Sequence, residues 1–488
     1  MRVLLVYAAP DRRYWPVGVF RSNWVPTGLA YMGAALLKAG HDVRVHVREE
    51  VLVKNSWHWQ ASDELLRREL MEFRPGMVGV SALSPMVADT ARTSLWAKEI
   101  CGPDVLTVAG GAHPSAIPEQ TLQDCEALDA VAIGEGEHTI VELAEKGVSR
   151  DVAGLAYREN GGEFVRTAKR KPCADLDSLG PLPYELFDME FYCRANPWLI
   201  RWISIPSTNI RTSRGCTNRC RFCAGHVVAG LGVRYHSIDY VMEQVANAVN
   251  RFGVEGIHFE DDTVGADRER LVELCRRIRA AGMDRKMKWD CCLRVSQLDR
   301  ELLAEMKASG CIQIEYGFEC GSDAGLGRIG KNTTMADNRR AVTLTRQAGI
   351  RVFADIMLGL PGETAEDIQA TVDFIRWSRP EVLSAGRLYP LPGTAIYSEL
   401  PDSVRSNIDW GTYSYIDLPG PRINLTSMPD EEFETVFRRF QKYIASPQMS
   451  WAFLRDNPHW PASWRRGIWK KLARFVLQHP IRAFRVPW

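Results

Sequence analysis

Apolar and polar positions follow a regular order along the first 146 residues, where short apolar runs alternate with stretches of helical period. The run 2–7 is almost continuously apolar, as buried parallel strands are. A helical period follows over 26–39 and ends at Gly40, a residue that suits a helix C-terminus. The same alternation predicts strands 41–47, 77–81, 105–109 and 130–133 and helices 86–101, 115–123 and 137–146. This order predicts a doubly wound, Rossmann-like α/β sheet, with its ligand site at the carboxyl ends of the strands.

The next stretch, 148–205, interrupts this alternation. Segments 155–158 and 163–166 predict a small hairpin around a Gly-Gly pair. The proline-bearing stretch 175–183 suits a connector between domains. We therefore assign 1–147 to a first domain and 148–205 to a hairpin and linker.

A second series of strands and helices occupies 206–400. Its predicted strands are 208–213, 256–260, 288–294, 312–318, 351–358 and 382–388, and its predicted helices are 238–252, 267–281, 299–308, 334–348 and 365–378. Six β/α units of this kind predict a second α/β domain, with its functional loops at the carboxyl ends of the strands.

The remaining residues, 401–488, predict a helical C-terminal region with a basic, aromatic tail. A helix with acidic residues in its first turn is expected from 429 to about 445. In the tail, the apolar residues Trp464, Ile468, Leu472 and Phe475 repeat at helical spacing, with basic residues between them. This pattern fits an interfacial helix on an anionic membrane, where each basic residue contributes ~1 kcal/mol. It fits equally well a helix packed over the second domain or against a partner.

Composition excludes several classes of protein. The 488 residues contain 61 Lys and Arg against 60 Asp and Glu, so the charge balance gives no reason to expect nucleic acid as a partner. The apolar N-terminal run is too short for a signal peptide, and the sequence has no run of eighteen apolar residues that could span a membrane. Twelve cysteines without a secretory signal favour a reducing interior. We expect a cytoplasmic protein, with peripheral contact to the inner membrane face through the C-terminal tail as the alternative.

The most informative chemistry lies in the second series, where Cys216, Cys220 and Cys223 have the spacing Cys-x3-Cys-x2-Cys. A cubane iron–sulfur cluster normally takes four Cys ligands, so three from one loop leave one iron open to a small molecule. Zinc is the alternative, although His226 is the only fourth ligand nearby. Three unrelated cysteines in a turn are the remaining alternative.

This loop, with the aromatic Phe222 before its third Cys, resembles the cluster loop of the radical S-adenosylmethionine (SAM) enzymes. The resemblance implies a [4Fe-4S] cluster held by the three cysteines, with the SAM amine and carboxylate on the open iron. It also implies a partial (β/α)6 radical SAM barrel for the second domain, and reductive cleavage of SAM to a 5′-deoxyadenosyl radical. A flavodoxin- or ferredoxin-type protein is implied as the electron donor.

Further segments resemble the SAM-contacting parts of this family. The acidic group after strand 256–260 resembles the segment that receives the SAM ammonium through charge-assisted hydrogen bonds, with a plain solvated turn as the alternative. Segments 317–322 and 356–363 resemble those that meet the ribose and amino-acid part and the adenine. A lysine in the following Gly-rich loop suits the SAM carboxylate, or is an exposed loop charge. The SAM contacts implied in this way are Phe222, Glu260, Asp261, Glu319, Lys331, Gly359 and Glu363.

The first domain resembles the cobalamin-binding domain in the residues at two strand ends. Ser81 and Leu83 match a Ser-x-Leu segment, and Gly110 and Gly111 match a Gly-Gly pair, both of which hold the cobalamin nucleotide tail. The Asp-x-His-x-x-Gly signature that supplies a histidine to cobalt is absent after the first strand. The resemblance therefore implies base-off cobalamin without a protein imidazole ligand, and we expect a loop role for His113.

Together these features resemble the cobalamin-dependent radical SAM enzymes. The leading expectation is a methyltransferase, in which the 5′-deoxyadenosyl radical activates a substrate carbon and methylcobalamin donates the methyl group. The alternative is a cyclase or oxidoreductase of the same family without methyl transfer, and the non-enzyme alternative is a cobalamin-binding sensor. No catalytic acid or base stands out in the sequence. The substrate is expected to be a small or lipid-like molecule.

Overall fold

The structure is a computed structural model that describes residues 1–14, 24–159, 162–413 and 422–444. The basic tail around 464–480 lies outside the described residues, as do residues 15–23 of the segment between the first strand and the first helix.

The first sheet has seven strands in the order β2-β1-β3-β4-β5-β6-β7. Neighbours from β2 to β5 pair in parallel, and β6 and β7 pair antiparallel. The elements of this part are β1 (Arg2–Tyr7), α1 (Thr27–Lys38), β2 (Asp42–Val47), α2 (Arg48–Lys54), α3 (Trp59–Phe73), β3 (Met77–Ser81), α4 (Val87–Cys101), β4 (Leu106–Gly110), α5 (Ala112–Ala116), α6 (Pro118–Asp124), β5 (Ala130–Ala132), α7 (Glu137–Lys146), β6 (Leu155–Arg158) and β7 (Phe164–Arg166).

Helices cover both faces of this sheet, as the alternating pattern predicts. Successive side chains of a strand point to opposite faces. In β1, Leu4 and Val6 are buried in one apolar cluster with Leu70 of α3. Val3 and Leu5 lie in the other cluster, which contains apolar residues of α1 and α7. The doubly wound prediction is therefore confirmed, and the predicted hairpin adds β6 and β7 to the edge of the same sheet.

The second sheet also has seven strands, in the order β16-β15-β14-β13-β12-β9-β8. All its neighbours pair in parallel except β8, which is antiparallel to β9. The elements are α8 (Met189–Cys193), β8 (Ala195–Asn196), β9 (Ile205–Ile210), β10 (Ser213–Arg214), α9 (Gly225–Ala229), β11 (Arg234–Tyr235), α10 (Ile238–Ala246), β12 (Gly256–Phe259), α11 (Arg268–Ala280), β13 (Lys288–Cys292), α12 (Arg300–Ala308), β14 (Cys311–Glu319), α13 (Asp323–Arg328), α14 (Met335–Gln347), β15 (Arg351–Leu358), α15 (Ala365–Ser378), β16 (Val382–Arg387), α16 (Ala395–Ser398), α17 (Asp402–Arg405) and α18 (Asp430–Ile444). With β16 at one edge and β8 at the other, this sheet is the predicted partial barrel.

Helix α18 closes one side of the barrel. Its aromatic residues Phe433, Phe437 and Phe440 are buried, and the Arg387 guanidinium lies over the first two rings at 4.8 and 4.3 Å. Gly359, at φ +88°, follows β15, and a side chain there would meet the Phe433 ring at 3.1 Å. The helix therefore docks against the predicted adenine-contacting loop. In the part of the chain that the structure describes, no helix is long and apolar enough to cross a bilayer.

Candidate functional site

The three clustered cysteines lie in the loop between β10 and α9, at the carboxyl end of the barrel strands. Each thiol accepts a hydrogen bond from a nearby donor: the Asn218 backbone N–H at 3.4 Å from Cys216, the Asn218 side-chain amide at 3.0 Å from Cys220, and the Gly225 N–H at 3.4 Å from Cys223. Such donors stabilise thiolate sulfur bound to iron. The loop is therefore built to present three sulfur ligands with their donors in place.

The cysteine geometry suits a cluster better than a single metal ion. Among residues 1–14, 24–159, 162–413 and 422–444, no group of three or more His, Cys, Asp or Glu side chains converges on one metal position. A cubane binds each thiolate through a different iron, so its ligands need not converge. The residues present therefore fit the [4Fe-4S] cluster.

The two aspartates after β12 hold the chain that leads into this loop. Asp261 is 3% exposed and accepts four hydrogen bonds, from the backbone N–H and the hydroxyl of both Thr212 and Ser213, at 2.5 to 3.0 Å. Burial raises the pKa of Asp261, and the four donors oppose that rise. Asp262 accepts from the Gly215 N–H at 3.0 Å. This geometry favours a positioning role for Asp261, and a direct contact with SAM stays a prediction.

Glu260 lies at the barrel mouth with three partners already in place. One oxygen accepts from the Arg211 guanidinium at 2.8 Å, and the other from the Asn209 amide at 2.7 Å and the Thr27 hydroxyl at 3.2 Å. A carboxylate offers about four acceptor positions. One position is therefore left for a ligand ammonium group, and the predicted contact of Glu260 with SAM stays a prediction.

Glu319 and Lys331 form a largely buried ion pair beside the cluster loop. Glu319 ends β14 in the left-handed region, at φ +66°, and accepts a hydrogen bond from the Lys331 ammonium. Burial alone would lower the pKa of Lys331, but the Glu319 carboxylate raises it above its ordinary value. The Lys331 ammonium lies 5.9 Å from the centre of the Phe222 ring. A side chain at Gly317 would overlap both charged groups, at 2.3 and 2.8 Å, so this glycine makes room for the pair.

Glu363 is fully buried under the loop that follows β15. One of its oxygens accepts from the Gly359 N–H at 2.6 Å and the Leu360 N–H at 3.2 Å, while the other has no hydrogen-bond partner. Burial raises the pKa of Glu363 to about 7, although the two N–H donors act in the opposite direction. Glu363 therefore shapes the Gly359 loop from beneath.

The predicted cobalamin residues meet at the carboxyl ends of β3 and β4 in the first sheet. The Ala82 N–H donates to the Gly110 carbonyl at 2.9 Å, and Gly111 has φ +103°. A side chain at Gly111 would lie 2.7 Å from the Ala82 carbonyl oxygen and 3.4 Å from the Ser81 hydroxyl. Leu83 is 42% exposed, unlike most of its apolar neighbours. The glycine therefore lets the two strand ends approach closely, and the exposed leucine beside them fits the predicted contact with the tail of a bulky cofactor.

His113 packs into the first domain. It is 2% exposed, its Nδ1 lies 3.0 Å from the Ser84 hydroxyl, and its ring lies edge-on to Trp410 at 4.9 Å. Burial lowers the pKa of this imidazole to about 3. The expected loop role is therefore corrected: His113 lies in the short helix α5, where its buried ring has a packing role. The absence of a protein ligand to cobalt stays a prediction.

Sequence reasoning missed the residues that join the two sheets. The Asn209 side chain exchanges two hydrogen bonds with the Val25 backbone, at 2.8 and 3.0 Å. Arg214, two residues before Cys216, pairs with Glu135 and Glu137 of the first domain. The Gly-Glu-Gly-Glu run over 134–137, at the end of strand β5, is the sequence signal that could have identified them.

The chain matches two protein families: the B12 binding domain family over residues 16–144 and the radical SAM superfamily over residues 210–375. An uncharacterised methyltransferase of Pyrococcus horikoshii is 28% identical over 447 residues, covering 90% of this chain and 91% of that protein. The anaerobic magnesium-protoporphyrin IX monomethyl ester cyclase of Cereibacter sphaeroides is 28% identical over 403 residues, covering 81% of this chain and 63% of the cyclase.

Solved structures show the same fold. The methyltransferase TsrM from Kitasatospora setae, with cobalamin and a [4Fe-4S] cluster bound, has a TM-score of 0.65 at 20% identity and covers 81% of this chain and 76% of its own. The cobalamin-dependent SAM radical enzyme OxsB has a TM-score of 0.70 at 16% identity and covers 99% of this chain and 72% of its own. Both family models match in the predicted order, so the resemblance is confirmed: the chain carries a B12 binding domain over residues 16–144, followed by a radical SAM domain over residues 210–375.

Proposed function

We propose that this protein is a cobalamin-dependent radical SAM C-methyltransferase that moves a methyl group from SAM to a carbon of a small-molecule substrate. The observation that carries the proposal is the contact between the two candidate sites. Helix α5, directly after Gly111, packs against α9, directly after Cys223. Gly393 lies between them, where a side chain would meet Val227 at 2.6 Å and Ala116 at 3.2 Å. The elements that follow the two candidate cofactor sites are therefore in direct contact, which supports the use of both cofactors in one reaction.

When bound, the cluster and SAM supply a carbon-centred radical, and cobalamin supplies a methyl carrier. The chain's own residues hold and orient these groups. Cys216, Cys220 and Cys223 ligate the cluster. Lys331, paired with Glu319, offers its cation to the SAM carboxylate, and Glu260 offers its remaining acceptor position to the SAM ammonium.

The remaining SAM and cobalamin contacts are proposed at residues that come after the strands of the two sheets. Phe222, Asp261, Gly359 and Glu363 shape the SAM pocket, and Ser81, Leu83, Gly110 and Gly111 receive the tail of base-off cobalamin. Removal of a hydrogen atom by a radical requires no general base, which suits a sequence with no obvious triad or paired-acid motif. A flavodoxin or ferredoxin in the cytoplasm is the proposed electron source, and the basic C-terminal tail is a proposed peripheral membrane contact.

The experiment that tests this function is anaerobic turnover with methyl-labelled SAM, cobalamin and reductant, with 5′-deoxyadenosine and S-adenosylhomocysteine both quantified. Methyl transfer predicts both products, and label in the corrinoid fraction. The Cereibacter sphaeroides cyclase makes the second candidate function a radical cyclisation without methyl transfer. That reaction predicts 5′-deoxyadenosine alone. A Cys220→Ala protein that still cleaves SAM at the wild-type rate would contradict both.

A further inference from the structure

Arg214 is a buried cation at the entrance to the cluster loop. It belongs to β10, two residues before Cys216, and its side chain is 7% exposed. Its guanidinium pairs with Glu135 at 3.1 Å and with Glu137 at 2.8 Å. The same group lies over the Tyr31 ring at 4.5 Å. All three partners belong to the first domain. The guanidinium therefore joins the cluster loop to the carboxyl ends of the first sheet's strands, the predicted cobalamin site, which we call the cobalamin edge.

The second strand that flanks the cluster loop reaches the same carboxylate. Arg234 of β11 pairs with Arg214 across the β10–β11 ladder. Its two terminal nitrogens donate to both oxygens of Glu135, at 2.8 and 2.9 Å. Glu135 also accepts from the Cys173 N–H at 2.8 Å. Two guanidinium groups therefore meet two carboxylates, and the buried charges balance.

The acidic half of this group is rigidly placed. Glu137 stands in the first turn of α7, where the helix dipole favours a negative charge, and Glu135 follows the end of β5. Burial would raise the pKa of Glu135, but Arg234 and Arg214 hold it below its ordinary value. Glu135 therefore stays charged at neutral pH.

A buried ion group of this kind is weak evidence for stability, because well-packed apolar residues would often stabilise the interface as much or more. Its distinctive property is geometry, since paired and bidentate guanidinium–carboxylate contacts fix both distance and direction. Geometry matters here because a reacting group displaced by about 1 Å can cost about a hundredfold in rate.

We propose that Arg214, Glu135 and Glu137 form an interdomain clasp that sets the separation between the cobalamin edge and the cluster loop. Arg214 is then a positioning residue that keeps radical formation coupled to methyl transfer. This inference rests on the proposed function, because it requires both cofactors on one chain. The predicted consequence of a loosened clasp is SAM cleavage that proceeds without transfer.

The test uses the full-length protein loaded with both cofactors, in Arg214→Lys and Glu137→Gln forms. Lysine keeps the positive charge of Arg214 but loses the forked set of guanidinium donors. Glutamine keeps the size of the Glu137 side chain and one of its two acceptor oxygens. Exposed Arg268, paired with Asp299 at 2.8 Å on the barrel exterior, provides the matched control Arg268→Lys. The first readout is the electron paramagnetic resonance interaction between cob(II)alamin and the reduced cluster. The second is the ratio of 5′-deoxyadenosine to S-adenosylhomocysteine.

We expect both clasp variants to retain wild-type iron and corrinoid contents. Their spin–spin interaction should become weaker or heterogeneous, and their product ratio should rise about tenfold, while the Arg268→Lys control matches wild type. An unchanged spin interaction and product ratio in both variants would overturn the clasp.

Hydrogen exchange of the cofactor-free chain separates failure of the clasp from failure of the proposed function. The clasp predicts faster exchange at 212–217 in both variants than in the Arg268→Lys control, whether or not wild-type protein binds cobalamin. Equal exchange in all three proteins would overturn the clasp. Wild-type protein without corrinoid or cluster would instead overturn the proposed function.

Discussion

The two sheets present the same kind of edge, the carboxyl ends of parallel strands, but equip it in opposite ways. The first sheet clears space, because Gly110 and Gly111 leave the backbone bare and Leu83 is exposed. The barrel mouth instead carries charge, with Glu260 held by Arg211 and Glu319 held by Lys331. A large neutral ring system with a long tail needs room, whereas a zwitterionic ligand needs directed charge. We therefore expect the same topology to serve two ligands through the residues at its strand ends.

The largest effect is expected at the charged barrel mouth, from a substitution in the cluster loop. Cys220→Ala removes one of three cluster ligands and the sulfur that accepts from the Asn218 amide. We expect iron content and 5′-deoxyadenosine formation to fall to background while corrinoid binding persists. Iron analysis and product chromatography measure these effects, with the buried Cys275→Ala as control. Simultaneous loss of corrinoid would show that the two edges are not independent.

Glu363 gives the barrel mouth a dependence on pH. Because its pKa is raised to about 7 from an ordinary 4.5, the folded protein keeps a proton that the unfolded chain releases. The contribution of Glu363 to stability therefore falls as pH rises between these values, by about 3 kcal/mol in total.

Glu363→Gln keeps an acceptor for the Gly359 and Leu360 N–H groups and removes this titration. Thermal unfolding of the cofactor-free protein at pH 5, 6, 7 and 8 should show a smaller decline for the variant than for wild type. Parallel curves for the two proteins would contradict the assignment.

At the uncharged edge, Gly111→Ala should weaken cobalamin binding about tenfold to a hundredfold. The added methyl group lies 2.7 Å from the Ala82 carbonyl oxygen, and overpacking costs about 1–3 kcal/mol. Gly102→Ala is the matched control, because Gly102 has φ +104° but nothing within 4 Å of the added atom. Corrinoid titration measures both. Equal affinities in the two variants would remove the Gly111 surface from the cobalamin site.

The smallest expected effect concerns the charge of Lys331. Lys331→Met removes the cation opposite Glu319, and we expect the Kd of the cluster-loaded protein for SAM to rise about tenfold. Calorimetric titration measures this, with exposed Lys286→Met as control. Corrinoid affinity should stay at the wild-type value. A SAM affinity unaffected by the loss of Lys331 would make this lysine a structural partner of Glu319 only.

The fold followed from the sequence where apolar periodicity was clean, as in β1 and β15. The pattern gave no assignment to 48–76, where the structure has α2 and α3. The reason is visible at Arg48, which is fully buried and paired with Asp89 at 3.3 Å and with Asp63. In sequence, a charged segment that is buried inside a domain has the same pattern as a charged segment exposed to solvent.

The candidate site was likewise predicted only in part. The cysteine loop and the Gly-Gly pair are local patterns, so the sequence could predict their roles through resemblance to known families. The partners of Glu260 and Arg214 are distant in sequence: Thr27 lies 233 residues from Glu260 and Glu135 lies 79 residues from Arg214. Only the fold brings these groups together, so no local pattern could predict their hydrogen bonds or ion pairs.

We expect one chain to hold both cofactors, each at the carboxyl edge of its own sheet. Cofactor analysis of protein purified anaerobically with cobalamin supplied, combined with electron paramagnetic resonance of the reduced cluster before and after SAM, tests this expectation. We expect about four irons and one corrinoid per chain, and a cluster spectrum that changes when SAM binds the open iron. Zinc in place of iron, or protein without corrinoid, would contradict this expectation.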